Sequence, residues 1–453
     1  VSGLGNQGHG ARDRAWTPVV GGDLAAQLLE VAKEVAARAR TRERLIAANR
    51  AAAEQTHYPK TVHWDALGTA QGDAGIALAC SYLDACFPAG GWEHTGHEYL
   101  ARAAQAAGDA ANLPLGLFGG LAGVAFAARS LSRAGIRYRQ LLATLDRELC
   151  SRVLESAGTL AGRHGVAVSE FDLISGLSGV GAYLLAQGGI PPADVALTAI
   201  LESMVALTEA TDGVPHWYTP PHLLADEGMI EHYPRGNLNC GLAHGIPGPL
   251  ALMALSLEAG SAVTGLREAT ARTAAWLVRH RTADRFGPNW PTVVPVTLGG
   301  VVHPESLDSS RAAWCYGTPG VARALWIAGR ALEDENLCRA ALEGMAAVYR
   351  RPVPLRRIDS PTFCHGVAGL LAVTLRFFHD TGLPLYADAA AALCEQILGL
   401  YDSGRTLGFF AIEPGGNCVD QPGLLDGAPG VILALLAAST DVEPIWDRLF
   451  LLS

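Results

Sequence analysis

Seven short stretches decide how this chain folds: QGDAGIALA (71–79), GGLAGVAFA (119–127), SGLSGVGAY (175–183), HGIPGPLAL (244–252), YGTPGVARA (316–324), HGVAGLLAV (365–373) and DGAPGVILA (426–434). Each is G-x-x-G followed by a run of small and apolar residues. The first glycines, Gly72, Gly120, Gly176, Gly245, Gly317, Gly366 and Gly427, are separated by 48, 56, 69, 72, 49 and 61 residues. Each step has room for two helices and their connections, so the chain reads as one repeated unit. Glycine permits the tight turn and the close backbone approach that a crowded helix start needs. Pro247, Pro319 and Pro429 fall in the first helical turn, where a missing N–H has no intrahelical partner to lose.

The runs behind these glycines are apolar nearly all round, as in GVILALLAA (430–438), which predicts helices buried on most sides. The intervening segments, such as REATARTAAWLVRHR (267–281) and 384–400, carry charge on one face and predict outer, half-solvated helices. Helical periodicity also runs through 23–55, where Leu28, Leu29, Val31, Val35, Leu45 and Ile46 stand among charges. The predicted fold is all-α: an α/α toroid of seven inner and seven outer helices, a single domain over 23–453 preceded by a flexible arm over 1–22. An open solenoid is the alternative. The seventh copy matches the inner pattern with no polar capping repeat after it, which favours closure. Two long steps hold non-helical excursions, 213–238 and 284–310. In the second, PTVVPVTLGGVVHP alternates β-branched residues around Gly299 and Gly300, which predicts a small β-like insert or loops over one rim, where specificity usually resides.

Composition narrows the function. The 453 residues are 49% hydrophobic and 17% charged, against about 25% charged in an average domain, with a mean hydropathy of +0.20; extensive disorder is excluded. A net charge of −10 and a pI near 5.8 leave no broad basic footprint for nucleic acid or anionic lipid. The apolar stretches around 241–257 and 427–438 are too short or too broken by Gly and Pro to span a bilayer. The opening VSGLGNQGHGARDRAWTPVVGG lacks the charged-then-apolar order of a signal peptide. Nine cysteines, scattered from Cys80 to Cys418 with no C-x-x-C pair, read as thiols of a reducing compartment. A soluble, cytoplasmic protein is expected.

Aligned on the first glycine, the two preceding residues are Ala70-Gln71, Phe118-Gly119, Ile174-Ser175, Ala243-His244, Cys315-Tyr316, Cys364-His365 and Leu425-Asp426. Reactive side chains gather in copies four to seven. Cys315, Cys364 and His365 make a soft donor set suited to Zn²⁺, with one tetrahedral position left open as in catalytic sites. Successive residues of a helix diverge by about 100°, so Cys364 and His365 can share an ion only at a helix entrance, where the register puts them. Each alone reads as a packing cysteine or a hydrogen-bonded core histidine. His244 either caps a helix start or acts as an acid/base, since imidazole titrates near neutral pH; with Cys240 it also forms a rival ligand pair. Asp172 is a helix cap, an arginine partner, or a carboxylate that orients the imidazole or Arg311. Arg311 closes a salt bridge or steadies a developing oxyanion. Tyr316 donates to the same oxygen or packs, and Asp426 reads as an N-cap.

GLAHGIPG (241–248), RAAWCYGTPG (311–320) and TFCHGVAG (362–369), in this order among seven G-x-x-G copies, resemble the lanthionine synthetase C-like family, the lanthipeptide cyclases, over about Gly68 to Gly430. The resemblance implies one zinc on Cys315, Cys364 and His365. It implies an enzyme that adds the cysteine thiols of a dehydrated precursor peptide to dehydroalanine or dehydrobutyrine, giving lanthionine and methyllanthionine rings. His244 is then the matched source of the α-carbon proton, supported by Asp172, Arg311 and Tyr316. No room precedes the toroid for a dehydratase or kinase-like domain, so a stand-alone cyclase is expected. Its partners would be the leader-bearing precursor peptide, a separate dehydratase and a transporter, with the loop 213–238 and the insert 284–310 as peptide contacts. The competing readings are a relative that adds glutathione to dehydroamino acids and a non-catalytic zinc scaffold that binds peptides. A prenyltransferase or glycosidase toroid is disfavoured, because the donor set lacks a carboxylate and no acidic pair stands out.

Overall fold

A computed structural model describes residues 15–301 and 307–453. Helices are numbered in chain order. Seven form an inner layer: α3 (Asp73–Cys86), α5 (Leu121–Ser130), α8 (Leu177–Leu185), α11 (Pro247–Glu258), α13 (Thr318–Leu332), α16 (Val367–Thr381) and α18 (Ala428–Ser439). Seven form an outer layer: α1 (Gly22–Ala39), α4 (Trp92–Asp109), α6 (Arg139–Ala161), α9 (Pro191–Leu207), α12 (Leu266–Arg279), α14 (Glu335–Arg350) and α17 (Pro384–Leu398). The extra helix α2 (Arg42–Gln55) and the short α7 (Val168–Phe171), α10 (Glu227–His232) and α15 (Val353–Arg356) lie in connections.

The inner helices touch in the order α3, α5, α8, α11, α13, α16, α18 and back to α3, so the ring is closed and the open solenoid falls away. Each inner helix packs on the outer helix that follows it, except α18, whose outer partner is α1 from the start of the described chain. The two layers differ as their sequences require. Every residue of α18 is buried, whereas α12 buries only Leu266, Ala269, Thr270, Thr273, Ala274 and Leu277, one stripe at helical spacing.

The glycines explain the tight entrance to each inner helix. In each copy the second glycine faces the carbonyl oxygen six residues upstream. A Cβ at Gly75, Gly123, Gly179, Gly320, Gly369 or Gly430 would lie 2.0–2.3 Å from that oxygen, and one at Gly248 would lie 3.0 Å away. The loop before each inner helix therefore folds back against the helix start with space for a hydrogen alone. These loops are stitched to one another by backbone hydrogen bonds of 3.0–3.4 Å: Ala70 to Phe118, Phe118 to Ile174, Leu173 to Ala243, Ala243 to Cys315, Cys315 to Cys364, Cys364 to Leu425, and Leu425 to Ala70, each N–H donating to the next carbonyl. This seven-membered belt brings one register position of all seven copies together at one end of the ring.

Beneath the belt, the middle of the ring is filled by the 3₁₀ turn Ile445–Phe450, which touches both α3 and α8. Phe450 lies tilted against Phe363, ring centroids 3.9 Å apart, and meets Trp314 edge-on at 5.1 Å, and its carbonyl accepts from Trp314 Nε1 at 3.1 Å.

Two expectations change. Residues 1–14 of the arm expected over 1–22 lie outside the described residues, but the rest is no loose arm: Trp16 is 7% exposed, stacks on His379 at 3.6 Å and donates from Nε1 to Ala437 O at 2.9 Å. Val19 N–H donates to Ala438 O. The last-turn carbonyls of α18 have no intrahelical donor left, and this segment supplies donors to two of them, Ala437 O and Ala438 O. The inserts expected separately are joined. Strands β1 (Ala210–Thr211) and β2 (Val214–Pro215) pair, as do β4 (Thr282–Asp284) with β5 (Gly287–Asn289) and β8 (Ala411–Ile412) with β9 (Cys418–Val419). The remaining sheet takes β3 (Asn237–Asn239) from the first excursion and β6 (Val293–Thr297) and β7 (Gly300–Val301) from the second, in the order β3-β6-β7. The hairpin predicted at Gly299-Gly300 is its β6–β7 turn, with Thr297 opposite Gly300. Among the described residues no helix is long and apolar enough to cross a membrane.

Candidate metal and acid–base site

The belt carries Cys315 into the entrance of α13 and Cys364 with His365 into the entrance of α16. Their donor atoms lie within 4.8 Å of one another. The two cysteines are tied directly, Cys315 N–H donating to Cys364 O at 3.2 Å. Their preceding residues, Trp314 and Phe363, rest on the same Phe450 ring. All nine cysteines are free thiols. The Cys364 thiol is held well above its ordinary pKa, first by the hydrogen bond it shares with Cys315, then by burial and the nearby Cys315 and Asp426 charges, with Arg311 acting in the opposite direction. Two thiols this close resist double ionisation unless a cation sits between them. Soft, crowded sulfurs converging with an imidazole fit zinc.

His244 lies in the same register one copy earlier. Its Nδ1 is 2.8 Å from Asp172 Oδ2, and Asp172 is 1% exposed. The other carboxylate oxygen accepts from Ser175 N and Gly176 N, each at 2.8 Å. Asp172 thus ties down the loop before α8, whose N-cap is Gly176 with no side-chain cap, and orients the imidazole at once; among the described residues its ion-pair partner is His244, not an arginine. An ionised carboxylate only accepts, so Nδ1 of His244 donates and Nε2 remains for chemistry. The ring is half-buried and lies 6.2 Å from that of Tyr316. Burial pushes the Tyr316 hydroxyl up to about 12, with Cys315, Cys364 and Asp172 adding to the rise and Asn239 opposing it, so the phenol keeps its proton. Asn239 Nδ2 donates to that hydroxyl at 3.1 Å.

The rival pair is not assembled. Cys240 is buried, its Sγ directed to Leu238 O at 3.7 Å, and the metal-capable group among the described residues contains neither Cys240 nor His244. Arg311 is exposed and makes no salt bridge among the described residues. It borders a cleft of about 400 Å³ shared with Arg357, Asp308, Tyr233, Val293 and Pro295. Asp426 is not the expected cap: the residue before α18 is Gly427, and no side chain caps that helix. Its Oδ1 stands 3.7 Å from His365 Nδ1. Asn239 escaped the sequence reading because it lies six residues before Gly245, away from the register that marked the others.

The family model of the lanthionine synthetase C-like protein matches residues 63–451, and the chain belongs to that family. Among known relatives, the nisin biosynthesis protein NisC of Lactococcus lactis subsp. lactis is 25% identical over 323 residues, which span 70% of this chain and 72% of that protein. The solved structure of nisin cyclase shares the fold, with a TM-score of 0.73 at 24% identity over 85% of this chain and 92% of the other.

Proposed function

We propose that this chain is a zinc-dependent lanthipeptide cyclase that closes thioether rings in a dehydrated precursor peptide. The observation that carries the reading is the convergence of Cys315, Cys364 and His365 beside an imidazole already oriented by a buried carboxylate. Zinc held by those three side chains would supply the Lewis acidity that lowers the pKa of an incoming peptide thiol at its open position.

The chain's own residues do the rest. Attack of the peptide sulfur on the β-carbon of dehydroalanine or dehydrobutyrine forms the C–S bond and drives the π electrons towards the carbonyl, giving an enolate. Arg311, exposed beside the cleft and carrying a permanent charge, steadies that oxygen, and the protonated Tyr316 hydroxyl donates to it. His244 Nε2 delivers the proton to the α-carbon, while Asp172 holds the ring in register and stabilises its charged form. The thiol loses one proton and the α-carbon gains one, so the addition balances. The cleft between Arg311 and the β3-β6-β7 sheet receives the peptide.

Metal analysis of wild type and Cys315→Ala, coupled to a cyclisation assay on a dehydrated precursor, tests the reading. Zinc and ring formation should disappear together; rings formed by a zinc-free protein overturn it. Parallel incubation of a cysteine-free dehydrated peptide with glutathione separates intramolecular cyclisation from the intermolecular alternative by product mass.

A further inference from the structure

The register that brings His244, Tyr316 and His365 together extends one copy further, to Asp426. We propose that Asp426 is a positioning residue of the metal centre: its carboxylate accepts the Nδ1 hydrogen of His365, so that the ring presents Nε2 to the ion. The inference rests on the metal reading above and deepens it.

Three observations support it. Asp426 Oδ1 is buried without a hydrogen-bond partner, yet it faces His365 Nδ1 at 3.7 Å. A buried acceptor left unsatisfied is destabilising, and a small rotation of the imidazole would complete the bond. Next, apart from a side-chain interaction with Gln71, the fold gives Asp426 no other employment. It caps no helix, and among the described residues its one ion-pair partner is His365. Finally, the arrangement occurs twice in the ring. His244 of copy four is held at Nδ1 by Asp172 of copy three, and His365 of copy six faces Asp426 of copy seven. A carboxylate and two thiolates crowded together repel one another by themselves, and a divalent cation among those donors reverses the sign. Metal-binding histidines commonly donate their second N–H to a carboxylate, which fixes the tautomer and strengthens the ligand.

The test compares metal-free wild type, Asp426→Asn and Asp426→Ala. Zinc affinity is measured by competition with a chromogenic chelator, ligand geometry by the absorption bands of the Co²⁺-loaded protein, and folding by thermal melting. Removal of the carboxylate in Asp426→Ala should weaken zinc by about 10–100-fold. Asp426→Asn, which keeps a neutral acceptor, should lose less, and the Co²⁺ bands should shift in both. In ¹⁵N-histidine-labelled, zinc-loaded wild type, His365 should carry its proton on Nδ1, a result independent of whether either variant folds. Wild-type affinity and unshifted bands in both variants overturn the inference, as does a His365 protonated at Nε2 in the zinc-loaded protein. A wild type that takes up no zinc overturns the metal reading and this inference together, whereas a zinc-binding wild type with indifferent variants overturns this inference alone.

Discussion

In copies one to three, the residue before the first glycine is Gln71, Gly119 or Ser175; in copies four to seven it is His244, Tyr316, His365 or Asp426. Around both arcs the backbone does the same thing. Each second glycine lies under the carbonyl six residues upstream, and the belt of hydrogen bonds passes through every copy. Where the first arc has a polar side chain to spend, it is structural: Gln71 Nε2 donates to Thr61 O, and its Oε1 accepts from His63 N. The repeat makes the place, and the register side chains of one arc, with Asp172 of copy three behind His244, carry the proposed chemistry. Stability and reactivity should therefore separate under mutation.

The largest effect is expected at the sulfurs. Cys315→Ala or Cys364→Ala should take zinc content from one equivalent to none and ring formation below detection, while the helical circular dichroism persists. Metal analysis and product mass on the same sample check this, and a variant that keeps its zinc would move the centre elsewhere. One step down, His244→Ala should retain zinc but slow cyclisation by about 10²–10⁴-fold, the span usual for a lost general acid. Asp172→Asn keeps the shape of the carboxylate and an acceptor for the α8 entrance, so its rate loss should be smaller than that of His244→Ala. Zinc loss in His244→Ala would erase the distinction between ligand and acid/base on which the reactive arc is divided.

The toroid was legible in the sequence because its determinants are local. A glycine pair three positions apart at the helix start, followed by a run of small and apolar residues, announces each inner helix without reference to the others. The candidate metal cluster was legible for a related reason: the register of Cys315, Cys364 and His365 is set by those glycines. What escaped reading depends on contacts across the chain. Trp16 looks like part of a loose arm until the last-turn carbonyls of α18, which lack intrahelical donors, are placed beside it. Asn239 acquires meaning only through the Tyr316 hydroxyl, 77 positions away. Asp426 read as a cap because Asp before a helix usually is one; here the extended Gly427 takes the cap position and leaves the carboxylate free to face His365. Nothing in the spacing of 213–238 and 284–310 says that β3 and β6 will pair.

Two glycines sharpen the contrast between the arcs. A Cβ at Gly123, in copy two, would lie 2.3 Å from Leu117 O; one at Gly369, in copy six, would lie 2.0 Å from Phe363 O. Gly123→Ala and Gly369→Ala should each destabilise by about 1–3 kcal/mol, because the loop must move to relieve the same overlap. Their functional outcomes should differ. Phe363 is joined to Cys364, so displacing its carbonyl shifts a ligand and weakens zinc, whereas Leu117 leads only to Phe118 in the belt. Equal loss of zinc affinity in both variants, measured at a temperature where both remain folded, would mean that the belt transmits strain around the whole ring and that the arcs are not independent. The smallest effect belongs to Ser175→Ala. The Ser175 backbone N–H, not its side chain, meets Asp172, so removing the hydroxyl should leave both melting temperature and cyclisation rate unchanged; a slowed variant would give the Ser175 hydroxyl itself a part in the reaction.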